Sequence, residues 1–154
     1  VGKMLSLTEK NYNDQILRET LWNSKALSSD VTAALNPVFK SVHDVENAAR
    51  LSYGLAFAKY TGSRGKVMAN DADAEFIQEI RQIFDKNDIK YQSGGFGKVD
   101  EGGGGTVAKF LAYYGIRTID AGPALLSMHS LFEISSKADL YETYRAYKVF
   151  FELK

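Results

Sequence analysis

The chain has 154 residues, of which 45% are hydrophobic and 25% charged, and its 19 basic residues balance its 19 acidic residues. It is long enough for one ordinary domain with a core that needs no staple, and its zero net charge argues against a nucleic-acid partner. There is no cysteine, which excludes disulfides and fits a reducing cytoplasm, and no apolar run is long enough to span a membrane.

The first half of the chain alternates predicted helix and strand. Apolar residues at helical spacing predict a helix from about Asn13 to Trp22. The segment Lys25–Thr32 is predicted to be a strand that leads into a loop. The nearly continuous apolar run Ala49–Tyr60 is typical of a buried strand, and the TGSRGK segment after it is typical of a flexible turn.

The second half continues the alternation. Asn70 is predicted to cap a helix that runs through Lys86. The apolar stripe of this helix is Phe76, Ile77, Ile80, Ile83 and Phe84. A short strand is predicted at Ile89–Ser93, followed by the glycine-rich segment GGFGKVDEGGGG.

The last third contains a short helix, a strand and a long helix. The short helix begins at Thr106 and ends at Gly115, and the strand is Ile116–Asp120. Ser136 is predicted to cap the final helix. Its proposed buried face is Leu140, Tyr144, Tyr147 and Phe151. The alternation predicts an α/β fold, a layered sheet flanked by helices, in which loops at strand ends hold functional residues.

Each candidate functional residue also has a structural interpretation. The EGGGGT segment before a helix suggests an anion site, but it does not match a nucleotide-binding motif, so a close backbone approach is the commoner reason for such glycines. Asp30 is equally explained as a turn aspartate. His129 is equally explained as a hydrogen-bonded structural histidine, and His43 is expected at the surface. From these residues alone the chain is an α/β domain without an assigned function.

Longer sequence motifs give information about the family of this chain. The segments NYNDQILRETLWNSKALSSDVTAALNPVF, AKYTGSRGKVMANDADAEF and GKVDEGGGGTVAKFLAYYGIRTIDAGPALLSMHSLFEISSKADLY occur in this order. With the closing helix, they resemble the C-terminal part of the aspartyl aminopeptidase / aminopeptidase I family of zinc peptidases, with the character of its bacterial members. The resemblance covers nearly the whole chain.

The resemblance implies a dinuclear zinc aminopeptidase, with cobalt or manganese as other possible metals. It implies that Asp30, in SSDVTAA, and His129, in SMHS, are metal ligands that bind different ions of the pair. It also implies that Gly105 and Thr106 lie close to the substrate cleft. The first histidine, the bridging aspartate and the glutamate pair of the family are not found in this chain. We do not assign Glu101 as the missing general base.

We therefore interpret residues 1–154 as the C-terminal portion of a zinc aminopeptidase catalytic domain, whose parent removes N-terminal amino acids from peptides. With no catalytic residue of its own, this chain alone is expected to be inactive. Self-association is expected, since members of the family form large oligomers. The alternative is a non-enzymatic assembly or ligand-binding module with the same fold. Ala33 and Asn36 replace histidines of eukaryotic members, so a preference for acidic substrates is not implied.

Overall fold

The computed structural model describes residues 1–64, 67–95, 97–98 and 100–152. The α-helices in this part of the chain are α1 (Gly2–Thr8), α2 (Asp14–Trp22), α3 (Ala74–Lys86), α4 (Ala108–Tyr113) and α5 (Lys137–Phe151). The strands are β1 (Lys25–Ser28), β2 (Thr32–Ala33), β3 (Leu55–Ala58), β4 (Tyr60–Ser63), β5 (Val67–Asp71), β6 (Tyr91–Ser93), β7 (Arg117–Gly122), β8 (Ala124–Leu126) and β9 (Ile134–Ser135).

The largest sheet has the strand order β1-β7-β3-β6. Strand β7 is parallel to β1 and antiparallel to β3, and β3 is parallel to β6. In the β1–β7 register Leu27 lies opposite Ile119 and Ser28 opposite Asp120. Because successive side chains of a strand point to opposite faces, Leu27 and Ile119 face one side of the sheet, and Ser28 and Asp120 face the other.

Helices α3 and α5 cover the face that carries Ile119. The buried core of this layer is Leu55, Phe57, Ala72, Phe76, Ile80, Phe84, Ile89, Ile119, Ala121 and Ala146. Helix α5 is tied to the sheet by Asp139, which is 0% exposed. Its side-chain oxygens accept hydrogen bonds from the backbone N–H groups of Ser52 and Gly54, each at 2.7 Å, so a buried side chain satisfies the backbone of the turn that leads into β3.

The opposite face of the sheet carries smaller elements. A second core of small residues packs against Ala56 and contains Ala34, Ala49 and Ala124. Above it lies a separate sheet in the order β2-β8-β9, while β4 and β5 form an antiparallel pair. Helix α4 contacts β5 and β7. The predicted layered α/β architecture is therefore confirmed.

Helix starts follow local side-chain chemistry. The predicted start of α2 is confirmed, because the Asn13 side chain accepts hydrogen bonds from the N–H groups of the first turn. The predicted cap of α3 was wrong. Asn70 lies within β5, and Asp73 is the cap, accepting from the Phe76 N–H at 2.8 Å.

The prediction of one long strand over Ala49–Tyr60 was also wrong. Strand β3 covers only Leu55–Ala58, because residues 51–53 turn and the N–H groups of Ser52 and Gly54 bond to Asp139 instead of to a neighbouring strand. The TGSRGK segment contributes residues to β4 rather than forming only a turn. Its Gly65 and Lys66 lie outside the described residues.

The final helix buries a different face from the predicted one. Asp139, Thr143 and Ala146 are its buried residues, whereas Leu140, Tyr144 and Phe151 are exposed. Of the predicted stripe only Tyr147 packs against the core. Among the described residues, no helix combines the length and the apolar character that crossing a membrane would require.

Candidate metal and substrate site

Asp30 lies two residues after the carboxyl end of β1 and is half-buried. Its backbone N–H donates to the Ser28 carbonyl at 2.8 Å, and its Oδ1 accepts from the Val31 N–H at 2.9 Å. The Asp30 carbonyl passes so close to the Cα atom of Gly122 that any side chain at residue 122 would overlap it. The turn that carries Asp30 is therefore held tightly against the end of β7.

A buried carboxyl group, Asp120, lies next to this turn. It is on β7, and the exposed fraction of the residue is 5%. Its Oδ2 accepts a hydrogen bond from the Thr106 hydroxyl at 2.8 Å. The hydroxyls of Ser28 and Thr61 also face it, although Asp120 Oδ1 and these two hydroxyls make no hydrogen bond of ordinary geometry. Groups from β1, β4 and the start of α4 thus converge on one carboxyl.

The environment of Asp120 favours its neutral form. Burial raises the pKa of the Asp120 carboxyl, and the nearby charge of Asp30 raises it further, while the hydroxyls of Ser28, Thr106 and Thr61 offset part of this effect. The pairing of Ser28 with Asp120 and the close approach of the Asp30 carbonyl to Gly122 bring Asp30 and Asp120 into one region of the molecule.

The backbone of Gly102–Gly105 packs closely against β4 and β5. The carbonyls of Gly104 and Gly102 accept hydrogen bonds at 2.9 Å from the N–H groups of Gly62 and Arg64, respectively. A side chain at Gly105 would overlap Met68, which is the close approach that the sequence offered as the structural reason for these glycines. Helix α4 has only six residues.

The predicted substrate residues lie in different environments. Gly105 is exposed, whereas Thr106 is buried and its hydroxyl is occupied by Asp120. Any contact of Thr106 with a substrate would therefore involve its backbone. The assignment of both residues to the substrate cleft stays a prediction.

His129 lies in the loop that joins β8 to β9 and is exposed. It is therefore not a packed core residue. Its φ is +68°, and its backbone N–H donates to Glu133 Oε1 at 2.6 Å. Ser127 also has a positive φ, of +59°, so the loop turns sharply on either side of Met128. This strained conformation presents the imidazole to solvent, where a ligand can reach it.

The donor types of Asp30 and His129 fit zinc, which binds carboxylate oxygen and imidazole nitrogen. A closed site needs about three or four protein ligands. Within the described ranges no group of three or more histidine, cysteine, aspartate or glutamate side chains is arranged to hold a metal ion. Asp30 and His129 thus suit part of a metal site, and further ligands would have to come from elsewhere.

The prediction for His43 was wrong, because this residue is buried, with an exposed fraction of 7%. Its Nε2 accepts from the Asn36 N–H at 3.4 Å, and burial lowers the pKa of the imidazole.

Sequence reasoning also missed Asp120. The available signal was a single aspartate inside the apolar strand IRTIDAG, where an unpaired charge would be costly.

Comparison with known proteins identifies the family of this chain. Residues 3–151 match the family described as aminopeptidase I zinc metalloprotease (M18). The chain is 58% identical over 149 residues to a probable M18 family aminopeptidase 1 of Borrelia garinii, covering 97% of this chain and 32% of that protein. It spans about a third of the length of the relatives it matches.

Solved structures show the same fold. The crystal structure of the M18 aminopeptidase of Thermotoga maritima matches with a TM-score of 0.90 and 51% identity, over 96% of this chain and 33% of that one. The mApe1 dodecamer of S. cerevisiae matches with a TM-score of 0.72 and 24% identity, over 94% of this chain and 30% of that one, a likeness of fold alone.

The fold defines the chain as part of a zinc-peptidase-like α/β protein. The match extends over nearly its whole length. The chain belongs to the M18 family of aminopeptidase I zinc metalloproteases.

Proposed function

We propose that this chain is the C-terminal portion of a dinuclear metalloaminopeptidase that removes N-terminal amino acids from peptides. The observation that carries this proposal is the family match over residues 3–151, within which Asp30 and His129 stand in accessible loops after β1 and β8. Asp30 and His129 would each bind one metal ion as terminal ligands. Zinc is the metal named for the family; a pair of ions, and cobalt or manganese as substitutes, are part of the proposal.

A bound zinc pair would polarise the scissile carbonyl and lower the pKa of a bound water toward ~7. In this proposal the chain provides two metal ligands and part of the substrate cleft, but not the general base. Glu101 does not suit that role, because it is exposed and its Oε2 lies 3.6 Å from Lys98 Nζ in a surface ion pair. The carboxylate that moves the proton to the leaving amine therefore comes from outside this chain.

Asp120 lies between the proposed substrate segment and the turn that carries Asp30. Its hydrogen bond from Thr106 fixes the start of α4, where Gly105 would face the peptide. Its neighbour across the strand pair, Ser28, precedes the turn that carries Asp30. In this proposal Asp120 acts as a positioning residue for the Thr106 end of the cleft.

A graft tests the proposal. The chain replaces the matching third of the Thermotoga maritima aminopeptidase, and hydrolysis of aminoacyl-nitroanilides is measured with added zinc. We expect the graft to be active and the separate chain to be inactive. Asp30→Ala and His129→Ala should each lower kcat/KM by more than about 100-fold, the upper range for removing a group that only supports a metal ligand.

The matched control is Asp88→Ala, since the Asp88 side chain is 81% exposed in an ion pair with Lys90. It should leave the activity of the graft unchanged. A graft that folds and binds the metal but keeps its activity in Asp30→Ala and His129→Ala would contradict the ligand assignment. A folded graft without activity would favour the alternative, a non-enzymatic assembly or ligand-binding module.

Further parts of the proposal concern partners and location. A peptide substrate is supported by the aminopeptidase names of the relatives. Self-association is supported by the dodecamer of the yeast protein, which shares the fold. A cytoplasmic location is supported by the lack of cysteine.

A further inference from the structure

A cavity of about 810 Å³ lies at the start of β1 and β7, and this volume is typical of small-molecule sites. Lys25 and Arg117 lie opposite each other in the parallel pairing of these strands, and both line the cavity. Asp30 follows the opposite end of β1, so the length of the strand separates this cavity from the candidate metal site. We call it the Arg117 pocket; its other lining residues include Trp22, Asn23, Asp71, Asp73, Glu75 and Gly115.

The guanidinium group of Arg117 is only partly used by the fold. Asp73 accepts hydrogen bonds from its Nε at 3.1 Å and from its Nη2 at 2.5 Å. Its Nη1 donates to no residue in the described part of the chain, and the Arg117 side chain is 35% exposed. One edge of the guanidinium is therefore available to a ligand, and a carboxylate is the group that fits such an edge best.

Glu75 offers the opposite charge close to this edge. Its Oε2 lies 3.7 Å from Arg117 Nη2, beyond ordinary hydrogen-bond distance, and its side chain is 82% exposed. Lys25 and Asp71, which also line the pocket, are each engaged by another ion-pair partner. The pocket thus keeps a partly free cation and a loosely held carboxylate side by side.

Trp22 gives the pocket an apolar wall. It lies at the end of α2 and is 70% exposed. Its ring packs against Gly115, where a Cβ atom would lie 3.0 Å from the Trp22 Cε3 atom and where φ is +83°. An indole left open in this way offers a large contact surface to an apolar group of a ligand.

The mixture of charges selects the class of ligand. The lining carries two cations, Lys25 and Arg117, and three carboxylates, Asp71, Asp73 and Glu75. A phosphate would meet the carboxylates and a polyamine would meet the cations, so like charges oppose both. A free amino acid carries its ammonium and carboxylate groups on one carbon atom. It can therefore reach an open cation and an open carboxylate that lie this close together.

We propose that the Arg117 pocket binds a free amino acid with an apolar side chain. The carboxylate of the amino acid accepts from Arg117 Nη1, its ammonium group donates to Glu75, and its side chain lies against the indole of Trp22. This site is separate from the proposed metal centre and does not depend on the proposed function, although the proposed activity would release molecules of this class.

Trp22 is the only tryptophan of the chain, so its fluorescence reports directly on the pocket. The chain is titrated with leucine in the presence of EDTA, which removes metal ions from any other site. We expect a saturable change in fluorescence with a dissociation constant on the order of 1 mM, because exposed ion pairs contribute little to affinity. Glycine, which lacks the apolar side chain, and 4-methylpentanoate, which lacks the ammonium group, should each bind at least about fivefold more weakly.

Two substitutions test the charged groups of the pocket. Glu75→Gln removes the carboxylate charge and should weaken leucine binding about fivefold, the upper range for an exposed ion pair. Arg117→Lys keeps a cation for Asp73 but lacks the second donor edge, and should weaken binding by a similar factor. The matched control is Glu152→Gln, which removes the same charge from an exposed residue at the end of α5 and should leave binding unchanged. Circular dichroism and urea unfolding show whether each variant remains folded.

A titration in which leucine gives no saturable change, or in which 4-methylpentanoate binds as well as leucine, would overturn the inference. Equal binding of leucine by Glu75→Gln and Glu152→Gln would also overturn it. So would binding that appears only when zinc replaces EDTA, because the amino acid would then lie at the proposed metal site. Hydrolysis is not measured here, so the result does not decide the proposed function.

Discussion

At the scale of single residues, Asp120 is a group whose protonation depends on the fold. Burial raises its pKa, so the folded chain binds a proton more tightly than the unfolded chain does. Between the ordinary aspartate pKa of about 3.9 and the raised value, the free energy of unfolding therefore falls as the pH rises. Stability from this group is complete at low pH and is lost as the pH passes through the raised pKa.

The substitution Asp120→Asn tests this effect. Asparagine can still accept the hydrogen bond from Thr106 but does not titrate, so the variant should become more stable relative to the wild type as the pH rises from about 4 toward neutrality. The gain is about 1.4 kcal/mol for each pH unit by which the pKa is raised. Urea unfolding at several pH values measures it.

A second variant sharpens the test. Thr106→Val removes a hydroxyl that lowers the pKa of Asp120, so the pH range over which stability is lost should move upward. A difference between Asp120→Asn and wild type that stays constant over the whole pH range would contradict the raised pKa.

The residue scale also shows where sequence reasoning succeeded and where it failed. Asp30 and His129 are proposed as metal ligands through the resemblance of the motifs SSDVTAA and SMHS to the family, and this assignment stays a prediction. Asp120 and His43 depend on burial, which is set by side chains distant in sequence. Thr61 and Thr106, for example, meet Asp120 from different elements.

At the scale of elements, the start of α3 combines a helix cap with an ion pair. Asp73 accepts from the Phe76 N–H, and its Oδ1 lies 2.5 Å from Arg117 Nη2 on β7. The hydrogen bond from Arg117 holds the pKa of Asp73 below its ordinary value, and the Phe76 N–H adds to the effect. The contribution of Asp73 is thus present above pH 4, roughly its unfolded pKa, and is lost as the pH falls through the lower folded pKa.

Two substitutions separate the cap from the ion pair. Asp73→Ala should lower the free energy of unfolding by about 1–2 kcal/mol, the range for a lost cap. Asp73→Asn keeps an acceptor for Phe76 and should cost less than about 1 kcal/mol, because the ion pair is about a third exposed and screened by solvent. Urea unfolding at neutral pH measures both. Equal losses in both variants would show that the charge, not the cap, is the stabilising feature.

Elements with local signals were predicted and elements with distant partners were not. The period of the apolar residues indicated α3, and Asn13 indicated the start of α2. The order β1-β7-β3-β6 could not be predicted, since it pairs strands far apart in sequence. The face of α5 was missed for the same reason, because the buried Asp139 is stabilised by Ser52 and Gly54, which lie more than 80 residues away.

At the scale of the whole molecule, the sheet has a protected centre and an open side. Strand β7 pairs with β1 and β3, and its Ile119 is fully buried. Strand β1 pairs with β7 alone in the described part of the sheet. Amide protons at a sheet centre are released only by large openings, whereas those of an edge are released by local ones.

Hydrogen exchange at low protein concentration should therefore show a gradient across the sheet. We expect the amides of β7 to exchange slowest and those of β1 to exchange faster, because β1 has one pairing partner instead of two. If β1 in the free chain is already as protected as β7, the open side of the sheet is covered, and the description of β1 as an unprotected edge strand is contradicted.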